Sequence, residues 1–167
     1  VIWTIVSSVL FEVHEAQGHG AHFTTPDQQM SVNLSMVGFV DDSTGQVNDF
    51  LPNTQPTPEQ LASIMQHDAH LWSNPLWISG GLLELPKCSY HHIHFDFDHT
   101  GKPFMRGGRV APQIMLTDNK TGTQIPITSK SVFDPHKTLG HKRAPGGKGR
   151  TQEKDTRSGS NLMGKQV

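Results

Sequence analysis

Phe39-Val40-Asp41-Asp42 places two adjacent carboxylates at the end of a stretch in which apolar and polar residues alternate. Ionised carboxylates held side by side are costly unless a cation or a proton neutralises them, so the pair predicts divalent-metal and phosphate chemistry. Mg2+, or Mn2+ in its place, is the cation to expect. It binds through a few carboxylates and water and leaves room for substrate phosphates. Met30, Val32, Leu34 and Met36 fall on one face of the preceding stretch, and Ser31, Asn33 and Ser35 on the other. This period of two marks a half-buried strand running to about Phe39, and the acids come where that strand turns. A solvated Asp-Asp turn is the structural alternative.

The 11 histidines offer a second chemistry. His92 and His94, with His91 and His99 nearby, share a strand face and could hold zinc, which would make the chain a small His-rich metal-binding β protein. Cys88 is the single thiol, so no cysteine pair supports a closed zinc site or a disulfide, and a buried or incidental thiol is expected. His14-Glu15-Ala16-Gln17-Gly18-His19 has its histidines five apart, on different faces of a helix, which does not suit a zincin. Gly146-Gly147-Lys148-Gly149 reads as flexible tail rather than phosphate cradle.

These residues must be positioned by a chain of 167 residues with 34% hydrophobic content, enough for one domain with a modest core or for a piece of something larger. The start at Val1 points to truncation. Charge is divided unevenly: residues 1–100 hold one base, Lys87, against 11 acids, a net of −10, whereas residues 101–167 hold 13 bases against four acids, a net of +9. That asymmetry suggests an acidic, metal-seeking part beside a basic part facing nucleic acid. A basic module that binds nucleic acid without catalysis, through residues 102–167 and with strong salt dependence, is the third reading. No segment approaches about 20 continuous apolar residues, and Val1–Leu10 lacks a basic flank, so neither a membrane span nor a signal peptide is expected, and the location is intracellular, cytoplasmic or nuclear.

Ile2, Ile5, Val6, Val9, Leu10 and Val13 recur at helical spacing and predict a first helix, ended by Gly18 and Gly20, that packs beneath the following strand. After Phe39, residues 43–53 are polar, so a hairpin with a weak return strand is expected. Thr57-Pro58-Glu59 opens a second helix with Thr57 as N-cap, and Leu61, Ile64, Met65, Leu71 and Trp72 supply its buried face. Pro75 should interrupt that helix or start another short one, and Gly80-Gly81 should end it. A strand over Tyr90–Phe97, a turn at His99-Thr100-Gly101-Lys102, and short strands at Val110–Leu116 and Gln124–Thr128 follow.

The order and spacing of these segments resemble the palm of retroelement reverse transcriptases. A strand ending in Phe39-Val40-Asp41-Asp42 precedes a helix and then Gly80-Gly81-Leu82-Leu83-Glu84-Leu85-Pro86-Lys87-Cys88 with an aromatic hairpin. Leu71-Trp72-Ser73-Asn74-Pro75-Leu76-Trp77-Ile78-Ser79-Gly80-Gly81, then Lys87-Cys88-Ser89-Tyr90, is similar to retrotransposons of protists such as diatoms. His136-Lys137-Thr138-Leu139-Gly140-His141 looks like the segment after their palm hairpin. The similarity covers roughly residues 1–145.

The resemblance implies that Asp41 is the principal magnesium ligand, that Asp42 supports it, and that Lys87 stands near the departing pyrophosphate as proton donor or charge stabiliser. One ion would activate the primer 3′-hydroxyl while the other holds the triphosphate. The hairpin from Tyr90 to Phe104 would be the primer grip. Tyr90, Phe95 and Phe97 would offer stacking surface and Lys102 and Lys137 phosphate contacts, although these aromatics could equally be ordinary core. RNA template, DNA primer and deoxynucleoside triphosphates are the implied partners.

The upstream palm strand with its third carboxylate, the Gln-Gly and Ser-Pro stretch of the family and the fingers are all missing. Asp27, Asp49, Asp96 and Asp98 do not replace that carboxylate, so the chain alone should be inactive. The expected fold is α+β: a partial palm over residues 1–104, with a small antiparallel sheet packed by two helices, a β-rich connection over 105–145, and a disordered basic tail over 146–167.

Overall fold

A computed structural model describes residues 2–39, 42–48, 56–106, 111–138 and 141–146. Helix α1 spans Ile2–Gln17 and helix α2 spans Pro58–Ile78. Between them lie strands β1 (Ala21–Thr24), β2 (Ser31–Leu34), β3 (Met36–Phe39) and β4 (Asp42–Gly45). After α2 come a 3-10 turn at Leu85–Lys87 and strands β5 (Ser89–His91), β6 (Phe95–Phe97), β7 (Pro103–Met105), β8 (Met115–Thr117), β9 (Gln124–Pro126), β10 (Thr128–Lys130), β11 (His136–Thr138) and β12 (His141–Arg143). The class is α+β. The single small antiparallel sheet is replaced, among the described residues, by six two-stranded ladders, of which β5–β10 is parallel and the others antiparallel.

The chain divides into two compact units, one of Val1–Cys88 with Pro112–Ile127 and the other of Ser89–Ala111 with the residues from Thr128 onward. The core of the first is built where α1 meets α2. Leu10, Trp72 and Leu76 are buried, with Val6, Phe11, Met36 and Leu83 packed around them. The Phe11 and Trp72 rings meet at 5.1 Å between centroids, tilted by 55°. That apolar stripe is what holds α1 as a helix, because its many β-branched residues give it little intrinsic propensity. The stripe is narrower than the sequence pattern suggests: Ile5 and Val9 belong to the same periodicity but stand 62% and 54% exposed.

Helix α2 opens with a reciprocal capping box. The Gln60 N–H donates to Thr57 Oγ1 at 3.3 Å and the Thr57 N–H donates to Gln60 Oε1 at 2.8 Å, satisfying two backbone donors that would otherwise have no partner. Replacing Thr57 by Ala should therefore cost about 1 kcal/mol, read as a lower urea midpoint of the helical circular dichroism. At its other end the Gly80 N–H donates to Trp77 O and the Gly81 N–H to Leu76 O, with Gly80 at φ +89°: the paired bonds of a Schellman close.

Pro75 does not interrupt α2, contrary to expectation. It sits in the last turn, where the missing N–H removes one bond near the helix end, and the burial of Trp72 and Leu76 on either side offsets the loss.

The alternating stretch before the acids is two strands rather than one. Strand β2 pairs back onto β1 and β3 pairs forward onto β4. The change of partner falls at Ser35, whose carbonyl accepts from the Gln46 N–H at 3.1 Å. Likewise the predicted strand over Tyr90–Phe97 divides into β5, which joins β10, and β6, which turns back onto β7.

The β8–β9 hairpin docks on α2 through side chains one turn apart. Gln66 Oε1 accepts the Met115 N–H at 2.8 Å and His70 Nε2 accepts the Thr117 N–H at 3.3 Å, while Asn119 Nδ2 donates to Ser73 O. Two backbone donors of β8 are thereby satisfied by a helix instead of another strand. Leu85, Ile114, Leu116 and Ile127 are buried in this unit as well.

Candidate functional site

The antiparallel register pairs Phe39 with Asp42, Gly38 with Ser43, Val37 with Thr44 and Met36 with Gly45. Asp42 thus opens β4 opposite the last residue of β3, and its side chain is exposed. Asp41, the first of the predicted metal ligands, lies outside the described residues, as does Asp49. The hairpin is seated against α1 through Gly38, where a Cβ would come within 2.4 Å of Phe11 Cζ. Any side chain there would have to displace the Phe11 ring from its contact with Trp72, so the absence of a side chain sets how closely the acidic hairpin approaches the core.

Lys87 closes the 3-10 turn, with its N–H donated to Glu84 O at 2.8 Å and its side chain exposed. Lys87 and Asp42 belong to the same unit, but no hydrogen bond or ion pair joins them among the described residues. Next to Lys87, Cys88 is partly buried. Burial, followed by the Glu84 carboxylate, raises its thiol pKa, which keeps it protonated and poorly nucleophilic.

Tyr90, Phe95, Phe97 and Lys102 belong to the second unit. Tyr90 is half-buried in β5 opposite Ser129. Phe95 and Phe97 alternate with Asp96 along β6, share one face and are 51% and 70% exposed, so neither is core. Asp96 is held by Arg106 Nη1 at 2.8 Å and lies 3.2 Å from His94 Nε2. Lys102 is exposed in the predicted turn, where its N–H donates to Asp98 Oδ1 at 3.0 Å. Lys137 occupies β11 in register with Lys142. The basic tail lies outside the described residues from Gly147 onward.

The densest polar constellation among the described residues centres on Asp68, which the sequence reading did not single out. Its carboxylate is buried, and it lies one and two turns from Trp72 and Leu76 on the inward stripe of α2. The His19 N–H donates to Oδ2 at 2.9 Å and the Gly20 N–H at 3.3 Å. His19 Nδ1 stands 2.9 Å and His67 Nδ1 3.3 Å from Oδ1. Burial alone would raise the Asp68 pKa, but the hydrogen bonds from His19 and His67, then from the His19 and Gly20 backbone, together hold it below the usual carboxylate range.

The end of α1 makes this geometry possible. The helix stops at Gln17, and Gly20, at φ +69°, turns the chain so that two successive N–H groups face one carboxylate. His14, five residues before His19, is buried on the helix, and its Nε2 donates to the Asp68 carbonyl at 3.2 Å. Its Nδ1 has no hydrogen-bond partner among the described residues. The two histidines therefore converge on one residue of α2 although their spacing separates them on a helix, because the helix ends between them.

His91, His92, His94 and His99 form no comparable group of three metal-ligating side chains among the described residues; the group that does is His19, His67 and Asp68. One signal in the sequence pointed there: Asp68 interrupts the Ile64, Trp72, Leu76 stripe, and a carboxylate on an apolar helix face requires partners. Among the described residues no helix is long and apolar enough to cross a membrane. No protein-family model, curated protein or solved structure matches the chain.

Proposed function

We propose that this chain is part of the palm of a retroelement reverse transcriptase, whose parent enzyme carries out RNA-templated DNA synthesis by two-metal nucleotidyl transfer. The observation that carries the reading is the β3–β4 hairpin between α1 and α2, which sets Asp42 opposite Phe39. A helix, an acidic hairpin, a second helix, the Leu85-Pro86-Lys87 turn and then the β6–β7 hairpin is the order that the resemblance implies. Asp41 and Asp42 would hold Mg2+, and the metal would supply charge stabilisation at the primer hydroxyl and the departing pyrophosphate. Lys87 would face the pyrophosphate. The exposed face of Phe95 and Phe97, together with Tyr90, would stack on primer or template, with Lys102 and Lys137 on phosphate.

The test is primer extension on an RNA template with Mg2+. It compares the 167-residue chain with one extended upstream by a further palm strand and nucleotide-contacting segment, each with and without Asp41→Asn. Extension only by the longer chain, reduced at least a thousandfold by Asp41→Asn, is the expected result. A folded longer chain that adds no nucleotide, or one indifferent to Asp41→Asn, would overturn the reading.

A further inference from the structure

We infer that His19 Nδ1, His67 Nδ1 and Asp68 Oδ1 form a binding site for one transition-metal dication, of which Zn2+ is the best match. The three ligand atoms all lie within 4.8 Å of one another, and both histidine nitrogens point at the same carboxylate oxygen, at 2.9 and 3.3 Å. Bonds of about 2.0–2.1 Å in a tetrahedron separate neighbouring ligands by about 3.3 Å, so an ion needs only small movements of the two rings to enter. The donor set is two imidazoles and one carboxylate, which selects zinc, copper, nickel or iron over Mg2+. This site is thus chemically distinct from an Asp-Asp pair.

The surroundings favour an ion over a purely structural cluster. Oδ2 is engaged by the His19 and Gly20 N–H groups, which fix the carboxylate and direct Oδ1 at the imidazoles, as outer-shell donors do in metal sites. The His19 and His67 side chains are 49% and 54% exposed, so an ion has an entry path and a fourth position open to water. Their rings meet edge to face at 5.4 Å between centroids, leaving the nitrogens side by side. Each neutral ring carries its proton on Nδ1 when it donates to Asp68. Metal binding requires that proton to move to Nε2, an exchange through solvent that changes no net charge on the ring. The ion would tie the residues just after α1 to the middle of α2, so binding should stabilise the fold.

Titration of the full chain with Zn2+ by calorimetry, in excess Mg2+, tests the inference, with Co2+ absorption as a second measurement. Expected are one tight equivalent, a tetrahedral-type Co2+ spectrum and a rise in Tm. His67→Gln and His19→Gln, both at half-exposed positions, should each weaken that equivalent at least tenfold, whereas the paired change His92→Gln with His94→Gln should leave it intact. No tight equivalent in the wild-type chain, or one unchanged in the doubly substituted His19→Gln, His67→Gln protein, would overturn the site. Because the readouts are binding and spectra, the outcome is independent of polymerase activity.

Discussion

Trp72→Ala should destabilise the chain by about 3–5 kcal/mol, the largest effect expected of any single core substitution. Trp72 is 5% exposed and sits in the apolar cluster where the two helices meet, touching Phe11 and lying beside Leu10 and Leu76. Removing the indole leaves a cavity that these neighbours cannot fill without moving α1. A domain of this size has about 5–15 kcal/mol in all, so a loss of about 3–5 kcal/mol is a large share of it. The variant should therefore be substantially unfolded in water at moderate temperature. Trp77→Ala is the matched control: five residues along the same helix and 42% exposed, it should cost less than about 1 kcal/mol. Urea titrations followed by circular dichroism decide the matter, and equal effects for the two tryptophans would refute the assignment of the core.

The second large effect belongs to Asp68. Asp68→Asn keeps the shape but removes the charge, and it turns one acceptor oxygen into a donor facing groups that themselves donate. A loss of about 2–3 kcal/mol is expected at neutral pH. The same carboxylate makes stability depend on acid. Its pKa is lower in the folded chain than in the unfolded one, so its contribution is fully present above the ordinary carboxylate value of about 3.9 and is lost as pH falls through the folded value. Denaturation midpoints measured from pH 6 downward should fall more steeply for wild type than for Asp68→Asn across that window. Parallel profiles would show that the four donors around Asp68 do not favour its ionised form.

Much of this could be read from residue order, and what could not has a common cause. The N-cap of α2 at Thr57, its Gly80-Gly81 close and the turn at His99-Thr100-Gly101-Lys102 are local features, settled by residues a few positions apart, and they occur where the sequence places them. The division at Ser35, the parallel pairing of Ser89–His91 with Thr128–Lys130, and the exposure of Ile5 and Val9 depend on which distant segment arrives as a partner. Periodicity is silent on that. Of the chemistry, the hairpin that carries Asp42 was legible because alternation and a paired acid coincide. Asp68 left only one trace, a carboxylate on an apolar helix face, and its partners left none, because His19 and Asp68 are 49 residues apart and meet only when α1 ends where it does.

The docking of β8–β9 on α2 has a kinetic consequence. Gln66 and His70 are synthesised well before the backbone they bind, and the chain runs through an excursion from Ser89 to Ala111 before returning to complete the first unit. The two N-terminal hairpins rest on contacts between near neighbours and should form early. The meeting of α1 with α2, where His14 and Asp68 are 54 residues apart, and the arrival of Met115–Thr117 at Gln66 and His70 both require closure of long loops and should be slower. Loop-closure entropy rises only by about 0.6 kcal/mol for each doubling of length, so the excursion can lengthen or shorten at little equilibrium cost. What such changes would alter is the lifetime of a half-built unit in which the Gln66 and His70 side chains are still served by water.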